Sequence, residues 1–415
     1  MLDINIIREN PDAVRQACSD KQLDPTVVDK LLTADESRRQ LQQKVDALRQ
    51  QSNEHARGLK QRAATGTMPT EAEKETGKTL KNDLKAVEPE LKELEEAVRM
   101  LALQVPNIPA SDVPVGKDES GNQLVRQVGT PSQMEFEPKP HEEIMTKLDW
   151  LDTERAVKIG GFRSYFLKGD GLRLEQKLLT LALNRLSEAG FTPMSVPVLV
   201  NEASLWGTGY FPWGKEDHYQ TQDNQFLTGT AEVALTAYRQ GEMLTEKDLP
   251  LQICGISPCF RREVGSYGKD TQGIVRVHQF NKVEQVVYTV ADEAETRVWH
   301  EKMVGLAEQL LQDLELPYQV LLMCTGDMGA GQRKKYDIET WFPSQNTYRE
   351  THSASYFNDF QARRLNIRYQ TSGGETKFVY TLNNTMAASP RLLAAIIENY
   401  QQADGTVKIP KVLSF

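Results

Sequence analysis

PCFRREVGSYGKDTQGIVRVHQFNKVE, residues 258–284, reads as a β-hairpin with its chemistry gathered on one side. The first strand ends in Arg261 and Glu263, two positions apart and therefore on one face. A glycine-rich loop carrying cations follows. The return strand brings Arg276, Phe280 and Glu284, all of even number, to a common face. Two arginines, an aromatic ring and two carboxylates on one sheet face can hold a polyanion, a flat base and an ammonium group. The plain alternative is an exposed hairpin with surface ion pairs. The apolar strand positions beside Arg261 and Glu284 weigh against it.

Around this hairpin, strand-like runs at 192–200, 251–256, 285–288, 318–323 and 378–382 are separated unevenly by helical stretches at 172–189, 291–314 and 390–400. That spacing predicts an α+β body with a largely antiparallel sheet, from about 138 to 415. A competing nucleotide motif, Gly209 to Lys215, fits the P-loop spacing GxxxxGK. Glu216 stands where a P-loop needs Ser or Thr for magnesium, and Pro212 and Trp213 suit poorly a loop that wraps phosphate with its N–H groups.

Upstream, Leu80, Leu84, Val87, Leu91, Leu94, Val98 and Leu101 recur at alternating steps of four and three, a heptad seam. Leu31, Ala34, Arg38, Leu41, Val45, Leu48, Ser52, His55 and Leu59 repeat the spacing, with Arg38, Ser52 and His55 interrupting the apolar line. A helix stop and restart at Thr65-Gly66-Thr67-Met68-Pro69 joins them. The pattern predicts an antiparallel two-helix coiled coil, preceded by a short capping helix in 1–25. A dimerisation zipper remains open, although the tight turn favours a hairpin within one chain. Residues 105–137, broken by Pro and Gly, are predicted as a linker with one or two short strands. The expected domains are therefore a helical arm at 1–104, a linker at 105–137 and a body at 138–415.

The net charge of −9 argues weakly against nucleic acid. The segment 26–104 holds fourteen bases and fourteen acids, so the rest of the chain carries the whole imbalance. A charge-balanced arm can touch RNA in places. The N-terminus lacks a basic-then-apolar leader, and no run approaches a membrane span, so the cytoplasm is the expected compartment. Four cysteines without CxxC spacing predict neither disulfides nor zinc.

The hairpin block resembles motif 2 of class II aminoacyl-tRNA synthetases, in the form found in the seryl-tRNA synthetases. Other segments agree in the right order. Residues 191–197 resemble motif 1, which implies Pro197 at a dimer interface. Thr228-Gly229-Thr230-Ala231-Glu232 resembles the family's TAE loop. Tyr348-Arg349-Glu350 and 359–364 resemble its ATP-proximal strand and loop, and 382–391 resembles motif 3. Two departures stand out: Thr351-His352-Ser353 where a Ser-Ser pair is common, and Asn383-Asn384-Thr385 where many members have Asn-Gly-Ser.

The resemblance implies an antiparallel platform flanked by helices, a homodimer, and ligation of L-serine to tRNA(Ser) at the expense of ATP. Charging of tRNA(Sec) is left open. By carry-over, Arg261, Arg276, Glu350 and Arg391 are the catalytic set. ATP contacts are expected from these and from Arg262, Glu263, Val277, Phe280, Thr351, His352 and Ser353. Serine contacts are expected from Thr230, Ala231, Glu232, Arg261, Glu284, Asn383 and Thr385. Glu350, with Ser353, would hold Mg²⁺. A ligase charging a carrier protein, a non-catalytic paralogue and a coiled-coil scaffold stay open as alternatives. The long arm argues against the first. The intact set Arg261, Glu263, Arg276, Glu350 and Arg391 argues against the second. The globular motifs argue against the third.

Overall fold

The computed structural model describes residues 1–66, 68–131, 133–265 and 273–414; the predicted hairpin tip, and Thr67 of the predicted turn, lie outside them. The chain divides into two compact units. One comprises 2–19 and 23–106, the other everything from 107 onward with residues 1 and 20–22.

In the first unit, α1 (Thr26–Ala64) and α2 (Glu71–Ala102) pack along the predicted seams. Val45, Val87 and Leu91 are buried between them, with Leu41, Leu48 and Leu84 packed alongside. The polar seam residues have local reasons. Arg38 bonds Asp35 at 3.0 Å, and Arg8 closes a two-pronged bond on the same buried carboxylate at 2.7 and 2.8 Å. Desolvation opposes that carboxylate's charge, but the two guanidinium groups hold its pKa below the ordinary value. His55 reaches Glu73 O of α2 at 2.9 Å, across Gly77, where even a Cβ would come within 3.3 Å of the ring. Thr70 and Glu73 form a capping box that restarts the chain as α2. The short helix expected in 1–25 is two, Ile4–Glu9 and Pro11–Asp20, since Pro11 suits a first helical turn but cannot continue a preceding one.

The second unit is built on eight strands: β1 (Gln123–Val128), β2 (Thr192–Ser195), β3 (Leu251–Phe260), β4 (Gln279–Thr289), β5 (Tyr318–Leu322), β6 (Lys334–Phe342), β7 (Thr347–Asn358) and β8 (Tyr380–Ala388). Their order is β1-β5-β6-β7-β8-β4-β3-β2, antiparallel throughout except that β2 runs parallel to β3. α3 (Gly169–Glu188), α4 (Glu232–Ala237), α5 (Glu293–Asp313) and α6 (Ser389–Asn399) pack against it. Leu174 and Leu178 of α3, Met303 and Leu310 of α5, and Leu393 and Ile396 of α6 share one buried core with Val283, Val287 and Ile338 of the sheet. Along β4, Val283 and Val287 enter that core, and Phe280, at its margin, alternates with them on the line of Lys282 and Glu284.

One expectation changes. The run 192–200 is not one strand: β2 ends at Ser195, and Leu199–Val200 pairs with Phe226–Leu227 in a small separate sheet. Pro197, which has no N–H for a ladder, lies at the break. The segment expected as a linker with one or two short strands supplies one, β1, which forms an edge of the main sheet, and its Asn107 side chain donates to Gly331 O at 3.1 Å and Phe357 O at 2.8 Å.

Candidate active site

The first hairpin strand stops at Phe260, short of the expected Arg261 and Glu263. Arg261 N–H still bonds His278 O at 3.0 Å, but Arg262 N–H turns to Asp217 O at 3.1 Å and Glu263 adopts φ +55°. This left-handed step aims Glu263 at Arg276, Nη1 to Oε2 2.6 Å, with Arg163 Nη1 3.8 Å from the same oxygen. Arg276 precedes β4 and therefore approaches from the loop rather than from the strand face shared by Phe280 and Glu284.

Two cavities adjoin here and share Arg261, Glu263, Arg276, Glu350 and Arg391. One is narrow, walled by Val275, Val277, Phe280 and Thr351. The other, about 470 Å³, extends toward Tyr210, Gly229 and Thr230. The Arg261 guanidinium carbon stands 5.2 Å from the Phe280 ring centroid. Arg391, in the first turn of α6, donates to Glu350 O at 2.9 Å, to Glu350 Oε2 at 3.1 Å and to Val275 O at 3.2 Å. Glu350 lines both cavities with its side chain 45% exposed. Desolvation opposes its ionisation, but Arg391, Lys335 and Arg261 outweigh it and pull the carboxyl pKa to about 2.

The other end of the site is a pair of buried carboxylates. Glu232, on α4, and Glu284, on β4, are 5% and 1% exposed. Asn383 of β8 donates to both, at 2.7 Å to Glu232 and 3.3 Å to Glu284. Thr385 reaches Glu284 at 3.4 Å, and Lys282 forms an ion pair with it. Tyr210 OH at 2.8 Å and Gln361 Nε2 at 3.0 Å bond Glu232. Burial first, then the charge of Glu284, raises the Glu232 pKa to about 7. Such a pocket has acceptors for an ammonium group and both donors and acceptors for a hydroxyl.

Of the residues singled out in sequence, Arg261, Glu263, Arg276, Val277, Phe280, Glu350, Thr351 and Arg391 are thus gathered with Thr230, Glu232, Glu284, Asn383 and Thr385. The others sit differently. Arg262 faces away from the two cavities and donates to Glu216 O at 3.0 Å. His352 is 1% exposed, its ring bonded to Thr351 Oγ1 at 2.9 Å and Met386 O at 3.1 Å, so it ties β7 to β8 instead of meeting a nucleotide. Ser353 pairs in register with Asp337 of β6, outside the cavity walls. Ala231 is buried in the core under the site. Tyr210, Lys282 and Gln361 were missed. Lys282 lies between Phe280 and Glu284 on the same alternating face and was within reach of that pattern. Tyr210 and Gln361 arrive from distant segments with no periodic signal.

An antiparallel platform with an arginine-lined base pocket joined to a polar pocket on its open face is the architecture of class II aminoacyl-tRNA synthetases. Comparison with known proteins agrees. Residues 216–400 match the model of the tRNA synthetase class II core domain (G, H, P, S and T), and residues 1–109 match the seryl-tRNA synthetase N-terminal domain. The serine–tRNA ligase of Deinococcus radiodurans is 48% identical over 100% of this chain and 96% of its own. The crystal structure of seryl-tRNA synthetase from Pyrococcus horikoshii complexed with ATP superposes with TM-score 0.92 at 39% identity, covering 100% of this chain and 97% of that one. The cytoplasmic serine–tRNA ligase of Naegleria fowleri in complex with AMP gives 0.88 at 33%, with 100% and 96% covered. The chain belongs to the seryl-tRNA synthetase family.

Proposed function

We propose that this chain joins L-serine to ATP as seryl adenylate and then transfers the seryl group to the 3′ end of tRNA(Ser). The observation that carries the reading is the continuity of the two pockets: Lys282 and Thr385, which contact Glu284, also wall the nucleotide cavity. An amino acid held by the paired carboxylates therefore lies beside the groups suited to the α-phosphate.

Arg276 is paired with Glu263 and Arg391 with Glu350. A triphosphate competes for these cations. Arg261 takes the α-phosphate and Arg276 the γ-phosphate, while adenine lies between Phe280 and Arg391. Glu263, released, accepts from the adenine amino edge, and the backbone at Val277 completes the base contact. Thr230 and Glu232 receive the serine ammonium; Glu284 and Thr385, steadied by Asn383, meet its hydroxyl. The serine carboxylate oxygen then bonds to the α-phosphorus as the bond to pyrophosphate breaks. The site contributes position and charge neutralisation rather than a nucleophile. Ribose attack on the adenylate carbonyl completes the transfer and releases AMP.

Among the described residues no cluster of three or more His, Cys, Asp or Glu is placed to hold a metal. Glu350 fits a magnesium ion that takes most of its oxygens from phosphate and water, because its carboxylate stays ionised and opens to the cavity. The ion would neutralise β- and γ-phosphate charge; Ser353, expected as a second ligand, lies outside the cavity walls.

The same reading assigns tRNA contact to the arm at 1–104 and catalysis to 138–415, joined through 105–137, in a homodimer formed along the β2 edge. Exposed Pro197 and Leu199 beside an edge strand support that interface. None of the described helices is long and apolar enough to cross a membrane, and the cytoplasm is the assigned compartment. Labelled serine, ATP and purified tRNA test the whole scheme. Acid-precipitable serine is expected with serine tRNA, and assay of selenocysteine tRNA decides whether the range extends to it. No charging, with intact adenylate formation, contradicts the transfer half.

A further inference from the structure

Glu398, near the end of α6, is fully buried. Four donors converge on its carboxylate. His141 supplies its backbone N–H at 3.1 Å and ring Nδ1 at 2.8 Å; Ser344 supplies its N–H at 3.2 Å and its hydroxyl at 2.7 Å. The remaining ring nitrogen of His141, Nε2, lies 3.2 Å from the backbone N of Ile274. An amide N–H can only donate, so Nε2 accepts and the ring proton sits on Nδ1, facing Glu398. The fit is tight on the loop side as well. Gly273 has φ +67°, and a Cβ there would fall 2.1 Å from His141 Nε2.

What this contact holds is the loop that leads into β4. Val275, one residue on, offers the carbonyl that receives Arg391 Nε at 3.2 Å, and the next residue is Arg276, paired with Glu263. We infer that His141, its tautomer set by Glu398, is a positioning residue for the ATP site: it anchors Ile274 so that Val275 O and Arg276 present Arg391 and Glu263 to the nucleotide. This rests on the ATP-site reading above. His141 touches no cavity residue through its own side chain, and nothing in its sequence neighbourhood marks it.

The two ring nitrogens can be tested separately. His141→Gln can place an amide oxygen near Nε2 and keep the acceptor for Ile274. His141→Asn can place its amide near Nδ1, keeping the Glu398 contact and losing Ile274. In serine-dependent pyrophosphate exchange, His141→Asn is expected to raise the ATP KM about tenfold, the usual scale for one buried hydrogen bond, with serine KM within twofold. His141→Gln should restore most of the ATP KM. Hydrogen–deuterium exchange of the peptide covering 273–280 reads the anchor without any substrate, and should be faster in His141→Asn than in His141→Gln. If the variants exchange alike, or shift both KM values together in step with melting temperature, the positioning role is wrong. If exchange separates the variants while the wild type shows no use of ATP, the anchor stands and the nucleotide reading falls.

Discussion

Glu284 gives the sharpest test of the amino-acid pocket. It is 1% exposed, bonded by Asn383 and Thr385 and paired with Lys282, itself 5% exposed. Truncation to alanine leaves the Lys282 ammonium buried without its counter-charge, a loss of about 3–5 kcal/mol in folding stability when one partner of a buried pair is removed. Glu284→Gln avoids that confusion in part, since it keeps the side-chain shape and one acceptor oxygen, which can face Thr385 and Lys282, while its amide NH2 replaces the oxygen that accepts from Asn383. What glutamine removes is the charge. A hydrogen bond to a charged group contributes about 1.5–3 kcal/mol, so serine KM should rise about 10- to 150-fold. ATP KM should move less than about threefold, because the base and phosphate contacts start at Phe280, four residues earlier on the strand. The neighbour responds too: with Glu284 neutral, one of the two causes that raise the Glu232 pKa is gone, and that value should fall below about 7. Pyrophosphate exchange with each substrate titrated at saturation of the other separates the effects. A normal serine KM with a raised ATP KM refutes the assignment and moves Glu284 to the nucleotide.

Three further outcomes follow from the same geometry. Arg261→Ala, whose side chain among the described residues makes a 3.4 Å contact to Gly229 O and a ring contact with Phe280, should keep its melting temperature yet lose about 10²–10³ in exchange rate; a folded variant at near wild-type rate contradicts the α-phosphate role. Glu232 is half ionised at about pH 7, so as pH falls through 7 its carboxylate is lost and serine KM should climb; Glu232→Gln should flatten that profile, and an unchanged slope in the variant would place the titration elsewhere. Deleting 26–104 with a short bridge should leave exchange largely intact and abolish tRNA charging, whose salt dependence in the full chain should reflect phosphate contacts; loss of both activities from a folded, monodisperse protein would show that the arm supports the catalytic unit.

The arm was legible because a heptad seam is local: each residue's burial follows from neighbours three and four positions away. Even its polar interruptions resolve locally, Arg38 onto Asp35 and His55 over Gly77. The body was legible where strands alternate simply, as in β4. By alternation it was not legible at β6 and β7, the long centre of the platform, where only the resemblance at Tyr348–Glu350 pointed to a strand. Lys334, Lys335, Asp337, Glu339 and Glu350 give those strands a charged look. The charges are accommodated by pairing, Lys335 with Asp337 at 2.9 Å and Lys334 with Asp112 at 2.7 Å, from a segment 222 residues earlier. No window around β6 contains that partner.

The site divides the same way. Residues on one hairpin face could be grouped by alternation, and Lys282 obeyed the rule that found Phe280 and Glu284. Glu263 reaches its place by a positive φ that a strand pattern does not contain. The short strands of the small sheet made Thr192 to Val200 look continuous until Pro197 divided them. His352 was placed near the nucleotide by its neighbours in sequence, but its ring lies on the core side of the sheet, with its pKa lowered to about 4 by burial. Tyr210, Gln361 and His141 come from segments whose only link to the site is three-dimensional.

The central claim is that two joined pockets activate serine. Serine-dependent exchange of labelled pyrophosphate into ATP, run in parallel with alanine and threonine, tests it most directly. A pocket that bonds the hydroxyl through Glu284 and Thr385 should favour serine over alanine by about 10⁴ or more in kcat/KM. Exchange that is absent, or equal for serine and alanine, would contradict the account.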